Sequence, residues 1–407
     1  MEKPAVQVKS LIPFFIINVL INLTANFAHP VTPTLIQELQ LSDYMFGVSM
    51  AVMQIANFLF SPFWGKLNNY ISSRKTLLFC CSGYAIGQLW FGCAKTELMI
   101  IGARMFAGIF IGGIFVSILT YIINCSTSKT QGANLTISAT ISSVASAFGY
   151  TVGGFIGEIS IHLAFYVQAA CLFGCGLLCF FVCKDDSNTD IHSMDRKTFI
   201  KQTNPFACLL AGRLFMTVTF FILFLVLMLQ NFGATAYDQC FNYYIKDQFG
   251  FSSSYNGLLK GAMGMIALIA NSTICLWIIH HTNPQNSIIA VLGTCSLITI
   301  GVMFSDHAIP FIIFNIIFFG FNAVTVPLLQ HMVASRARGK DSNLIMGFYN
   351  SIKSLGSIFG SLTAGVIYGY GVKLPFIVAG SAFLLASIAA SYLALRNRAP
   401  KTAHSKA

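Results

Sequence analysis

Apolar runs of about twenty residues recur along almost the whole chain, and each is long enough to cross a bilayer core of roughly 30 Å as a helix. Twelve are read, at 11–33, 43–65, 75–94, 98–123, 133–157 and 162–183, then at 208–235, 253–279, 287–305, 309–333, 343–368 and 374–395. The backbone finds no water in a bilayer, so such runs must close their own hydrogen bonds as helices. Charge is correspondingly scarce. Of 407 residues only 9% are charged and 56% are hydrophobic, against about 25% charged in a soluble domain. Mean hydropathy is +0.72. The fold class expected is therefore an all-α integral membrane protein with twelve transmembrane helices.

One long polar stretch, KDDSNTDIHSMDRKTFIKQTN at 184–204, divides the chain. It gives an N-terminal six-helix half (1–183), a linker (184–204) and a C-terminal six-helix half (205–407). Of the 24 basic residues, eighteen fall on the side of the N-terminus, and only Lys95, Lys246 and Lys373 fall on the other. That bias predicts both termini and the linker in the cytoplasm, in a multi-pass protein of the cell membrane. The net charge of +11 then reflects topology and calls for no nucleic-acid partner. The N-terminal MEKPAVQVK carries no cleavable signal pattern.

The two halves repeat each other. Ser42 and Gly47 of LQLSDYMFG match Ser252 and Gly257 of QFGFSSSYNG. Ser146, Phe148, Gly149 and Gly154 of SAFGYTVGG match Ser357, Phe359, Gly360 and Gly365 of SIFGSLTAG. Paired repeats of this kind are a transporter signature, because two related halves can rock about a central site.

Four stretches carry a resemblance to the major facilitator superfamily over essentially the whole chain. GKLNNYISSRK (65–75) resembles the family's G-x-L-A-D-R-x-G-R-K loop through Gly65, Leu67, Arg74 and Lys75, with Asn69 where the family has Asp. IGARMFAGIFIGG resembles R-x-x-x-G-x-x-x-G through Arg104, Gly108 and Gly112. GYTVGGFIG resembles the antiporter pattern G-P-x-x-G-G through Gly149, Gly153 and Gly154, with Tyr150 in place of Pro. LTANFAHPVTP resembles the first-helix motif of twelve-helix drug exporters through Leu23, Pro30, Val31 and Pro33. The resemblance implies a drug- or metabolite:proton antiporter working by alternating access, monomeric and without a cofactor. It ties Arg104 to proton movement and the 65–75 loop to latching the halves. Asn69 brings no charge to that latch.

Polar residues inside the apolar runs are the candidate site. Asn18, Asn22, Asn26 and His29 share one helical face. They could line a wet central cavity or hydrogen-bond across helices. Cavity lining is the expectation for Asn22 and Asn26, with Gln54 and Asn57 beside them. Lys353 lies ten residues past Asn343, about 15 Å into its segment, so it should face the cavity. Arg104 and Lys260 lie nearer the outer ends. Asp43, Glu158 and Asp238 are expected at outer ends, leaving no acid at mid-depth. Such a pocket favours anionic, zwitterionic or neutral small-molecule substrates. His29, Glu158, Asp238 and Arg104 are the candidate proton-coupling residues, with Lys353 a further proton carrier if it releases its proton as substrate binds.

No G-x-x-x-x-G-K-[ST] loop occurs, so transport should be secondary and not ATP-driven. Cys171, Cys175, Cys179 and Cys183 form an i, i+4 stripe, read as a packing face in preference to a soft-metal site. His280 and His281 have no carboxylate or Cys beside them, so an enzyme is not expected. The other readings are uptake of an organic anion or sugar, and a non-transporting receptor or sensor.

Overall fold

The computed structural model describes residues 11–68, 70–127, 130–186, 200, 203–207, 210, 212–336 and 342–398, and among them there is no strand. The helices are α1 (Ile12–Ala25), α2 (Thr32–Glu38), α3 (Met45–Leu67), α4 (Ser73–Gly92), α5 (Glu97–Asn124), α6 (Gln131–Ile159) and α7 (Ile161–Val182). There follow α8 (Val218–Asp247), α9 (Ser253–Ala270), α10 (Leu276–His281), α11 (Pro284–Met303), α12 (Ala308–Ala334), α13 (Ser342–Tyr368) and α14 (Leu374–Arg398). Among the described residues, nine helical spans are long and apolar enough to cross a membrane.

Three expected segments differ. The 11–33 run does not stay helical: α1 ends at Ala25, a turn runs from Asn26, and α2 begins at Thr32. Pro30 has no N–H to continue the ladder and Pro33 suits a first helical turn. The carbonyls released by the break are met by side chains. Ala25 O accepts from Gln168 Nε2 (2.8 Å) and from the Tyr84 hydroxyl (3.4 Å). His29 O accepts from Asn242 Nδ2 (3.4 Å) and Pro30 O from Asn256 Nδ2 (3.3 Å). The 208–235 run is interrupted by a 3-10 turn, Gly212–Leu214, and the long helix is Val218–Asp247. Finally, the 253–279 run carries a π-helical turn, Asn271–Cys275, between α9 and α10.

Packing divides the chain into two units, one of 1–207 with 241–268 and one of 208–240 with 269–407. In the first, α4 packs on α5 and α7, α3 on α5, and α1 on α6 and α7. Small residues set how closely these helices approach. A Cβ on Gly149 would strike Leu23 O, one on Gly153 the Phe27 backbone, and one on Gly154 the carbonyl of Ser253. From the other side, a Cβ on Gly257 would strike Tyr150 O. This mutual fit is why 241–268 packs with the first unit although it lies beyond the linker.

The second unit is built on α11 against α12 and α14. There α13 meets α8 at Gly356, whose Cβ would touch Met228 O, and at Gly360, whose Cβ would strike Phe232 O.

The cysteine stripe lies in the first unit's core. Cys175, Cys179 and Cys183 are buried in one cluster with Cys80 and Cys81, while Cys171 is exposed. Gly176 sits against Cys81 and Leu78, whereas Gly174 faces open space and helps no packing. Among the described residues no group of three His, Cys, Asp or Glu could hold a metal ion.

Candidate functional site

On α1 the asparagines bond along their own helix and across to α6. Asn18 Nδ2 donates to Ser138 Oγ (3.1 Å). Asn22 Nδ2 donates to Asn18 O (2.9 Å) and Oδ1 (2.7 Å). Asn26 Nδ2 donates to Asn22 O (2.7 Å) and Ser146 Oγ (3.0 Å). Asn18 and Asn22 are buried, at 0% and 2% exposure. Asn18 and Asn26 thus bond across to α6, Asn22 bonds Asn18 along its own helix, and Asn26 stays half-buried.

The turn after α1 places His29 among aromatic rings and cations. Its imidazole stacks on Tyr150 with centroids 5.3 Å apart and planes 13° from parallel. Lys260 Nζ lies 5.9 Å from the same Tyr150 ring and 5.1 Å from Phe241. Tyr150, where the antiporter pattern has Pro, is thus a platform for two basic residues.

Arg104 is 2% exposed. Its Nη2 donates to Thr32 Oγ1 (3.3 Å), its Nη1 reaches Met53 Sδ (3.5 Å), and its guanidinium lies 4.1 Å from the Phe91 ring centre. Its Nε has no partner among the described residues. The buried cation is therefore held by a hydroxyl, a sulfur and a ring face.

Other predicted residues are scattered. Gln54 and Asn57, both half-buried, bond each other (3.4 Å). Asn57 also receives Ser61 Oγ and lies against Gly112, while Gly108 admits the Met53 carbonyl. Glu158 accepts from the backbone N–H of Ser254 (3.1 Å) at the start of α9. In the 65–75 stretch, Gly65 has only Val116 near its missing Cβ, at 3.5 Å. Arg74 pairs with Asp185 at 3.0 Å, and Lys75 reaches the same carboxylate at 3.9 Å. Asn69 lies outside the described residues. Sequence reading missed Asp186, which is buried and accepts from Ser73 N (2.7 Å), Ser73 Oγ (2.6 Å) and Asn124 Nδ2 (3.0 Å).

The second unit presents a different wall. Along α13, Asn350 and Lys353 are exposed and Ser354 and Ser357 half-buried on one side, while Phe359 and Val366 are exposed on the opposite side. Polar and apolar exposed faces on one membrane helix are what a water-filled cavity and lipid require. Lys353 has no hydrogen bond or ion pair among the described residues.

Two findings depart from expectation here. Asp238 is not at a helix end: because the helix is shifted to Val218–Asp247, Asp238 lies nine residues inside it. An amide cluster also went unread: Gln230 Nε2 donates to Thr325 Oγ1 (2.8 Å) and Asn322 Oδ1 (3.2 Å), and Asn231 Nδ2 donates to Gln230 Oε1 (2.8 Å). The adjacent Gln-Asn pair inside an apolar run was the available signal.

Nine membrane-length helical spans among the described residues, with cations buried among them, define a multi-pass membrane protein. The chain belongs to the major facilitator superfamily, whose model matches residues 14–338 and 304–407. It is similar to multidrug resistance protein 1 of Bacillus subtilis (strain 168), 24% identical over 357 residues covering 85% of this chain and 86% of that one. Its fold is similar to that of the human organic anion transporter MFSD10, with a TM-score of 0.67 at 16% identity, over 95% of this chain and 100% of that one. A bacterial homolog of the human lysosomal transporter Spinster, in an inward-facing and occupied conformation, gives a TM-score of 0.71 at 12% identity, over 98% of each chain.

Proposed function

We propose that this protein is a proton-coupled exporter that moves a small organic molecule by alternating access. Its twelve crossings would leave both termini in the cytoplasm. The observation that carries the substrate class is Lys353: a cation on the accessible polar face of α13, flanked by Asn350, Ser354 and Ser357, with no carboxylate beside it among the described residues. A carboxylate or phosphate on the substrate would complete that pair, so the pocket suits anionic or zwitterionic amphiphiles and tolerates neutral ones. His29, Arg104 and Asp238 are the coupling residues of this reading. Glu158, engaged with the start of α9, is left out of it. The glycine-lined fit of α6 against Phe241–Leu268 is the contact that would open in the alternate state.

The test uses everted membrane vesicles acidified inside, with a fluorescent carboxylate and a fluorescent lipophilic cation as paired probes. The carboxylate should accumulate in vesicles carrying the protein, a protonophore should abolish that accumulation, and Lys353→Gln should remove it. Accumulation of the cation alone would overturn the substrate class. Carboxylate accumulation insensitive to the protonophore would overturn the proton coupling.

A further inference from the structure

We propose that the groove where the end of α3 meets the start of α4 is a binding site for an anionic phospholipid, with an acyl chain in the groove and the phosphate on Lys75. The groove has a volume of about 400 Å³. Phe63, Trp64, Leu67, Ile71 and Phe79 line it, and Lys75 stands at its mouth.

The lining offers a ligand one polar group. The Trp64 indole N–H is committed to Ile109 O (2.7 Å), and the Thr76 hydroxyl, also in the lining, donates to Ser72 O (3.4 Å). Only the Lys75 ammonium remains, on a side chain that is 54% exposed. Its neighbouring carboxylate, Asp185, is held more closely by Arg74, at 3.0 Å against 3.9 Å for Lys75. Arg74 is itself anchored on Cys183 O (3.1 Å) and on the face of Phe180. The second carboxylate nearby, Asp186, is committed to Ser73 and Asn124, so the Lys75 ammonium keeps only its long contact to Asp185 at the edge of an apolar slot. The complementary ligand has a long apolar body with one anionic end.

The groove opens on a helix face suited to lipid. Phe79 and Ile86, seven residues apart on α4, are 61% and 56% exposed. In a membrane transporter an exposed apolar stripe of this kind meets acyl chains, and a basic pocket between helices near the membrane surface recruits anionic headgroups. Aromatic rings continue the wall, with Trp64, Phe79 and Phe110 at centroid separations of 5.8 to 6.0 Å.

The experiment incubates the purified full-length protein with equal amounts of phosphatidylglycerol and phosphatidylcholine of identical chains, and weighs the retained lipids by native mass spectrometry. The wild type should retain phosphatidylglycerol about fivefold over phosphatidylcholine, the preference one lysine near a membrane surface supplies. Lys75→Gln should bring the ratio to parity and Lys75→Arg should keep it. Ile71→Trp, which fills the slot without changing charge, should lower retention of both lipids. An undiminished preference in Lys75→Gln would overturn the assignment. So would displacement of the lipid by glycerol phosphate, which would mean that the site reads a free phosphate. Lys75 is exposed, so its variants should unfold at the wild-type temperature.

Discussion

Asn26 donates its side-chain amide to the hydroxyl of Ser146 across 3.0 Å, joining the turn after α1 to α6. Thr235 and Ser357 form the counterpart between α8 and α13, at 3.1 Å. The glycine contacts repeat in the same register, Gly149 over Leu23 O and Gly360 over Phe232 O. The Ser146–Gly149 and Ser357–Gly360 stretches of the internal repeat thus make the same helix-pair contact.

Ser146→Ala and Ser357→Ala should therefore cost alike, about 0.6 kcal/mol each for a hydrogen bond between membrane helices. Thermal unfolding in detergent, combined with Asn26→Ala and Thr235→Ala in double-mutant cycles, measures the two couplings. A clear cost in one half and none in the other would break the equivalence.

Glycine substitutions should separate sharply by place. A Cβ on Gly153 collides with the Phe27 backbone, whereas Gly174 has nothing within 4 Å of its missing Cβ. Gly153→Val should abolish transport or lower the yield of folded protein severalfold. Gly174→Ala should leave both unchanged, as read by size-exclusion chromatography and vesicle transport.

Removing the Asp186 carboxylate strands three donors. Two are on Ser73, at the start of α4, and one is Asn124 Nδ2, at the end of α5. A buried group left without its partner costs about 1–3 kcal/mol, so Asp186→Ala should lower the thermal midpoint by several degrees. Asp186→Asn, which keeps an acceptor oxygen, should lower it less.

Acid should loosen one loop in a predictable sense. Lys373 Nζ reaches Asp306 Oδ1 at 2.7 Å, together with Met303 O and Ser305 O. That hydrogen bond and charge hold the Asp306 carboxyl below the usual carboxylate range. A carboxylate lowered in the folded state contributes stability above its unfolded pKa of about 3.9. The contribution is lost as pH falls from there through the folded value. Asp306→Asn should therefore flatten the thermal midpoint against pH below about pH 4, and the wild type should lose this increment only in that acid range.

Most helices were legible because twenty-residue apolar runs in a bilayer have one structural answer. The bounds of α3 to α7 and α11 to α14 follow the runs within a few residues. The departures in helix bounds have identifiable causes. Hydropathy makes 11–33 a single span, yet the helical ladder ends at Ala25, ahead of Pro30 and Pro33. In 208–235, hydropathy gave no warning of the Gly212–Leu214 turn, so the helix was placed too early and Asp238 was put at its end. The Asn18, Asn22 and Asn26 spacing marks a single face equally well for a cavity and for the bonds these side chains make with one another and with α6. Their partners Ser138 and Ser146 lie far along the chain, where periodicity carries no information.

The bend after α1 has a mechanical consequence. In a continuous helix each carbonyl is served by the next turn of the same rod, and the rod carries its bonds wherever it goes. At this bend the acceptors Ala25, His29 and Pro30 are served by Gln168, Asn242 and Asn256, on α7, α8 and α9. Sliding α9 would strand the Pro30 carbonyl in a place where water is scarce, while sliding α7 or α8 would leave Ala25 O or His29 O with one donor at 3.4 Å, the Tyr84 hydroxyl or the Thr32 N–H. The segment behaves as a rivet through three plates, and each plate can shift only by giving up the bond that fastens it there.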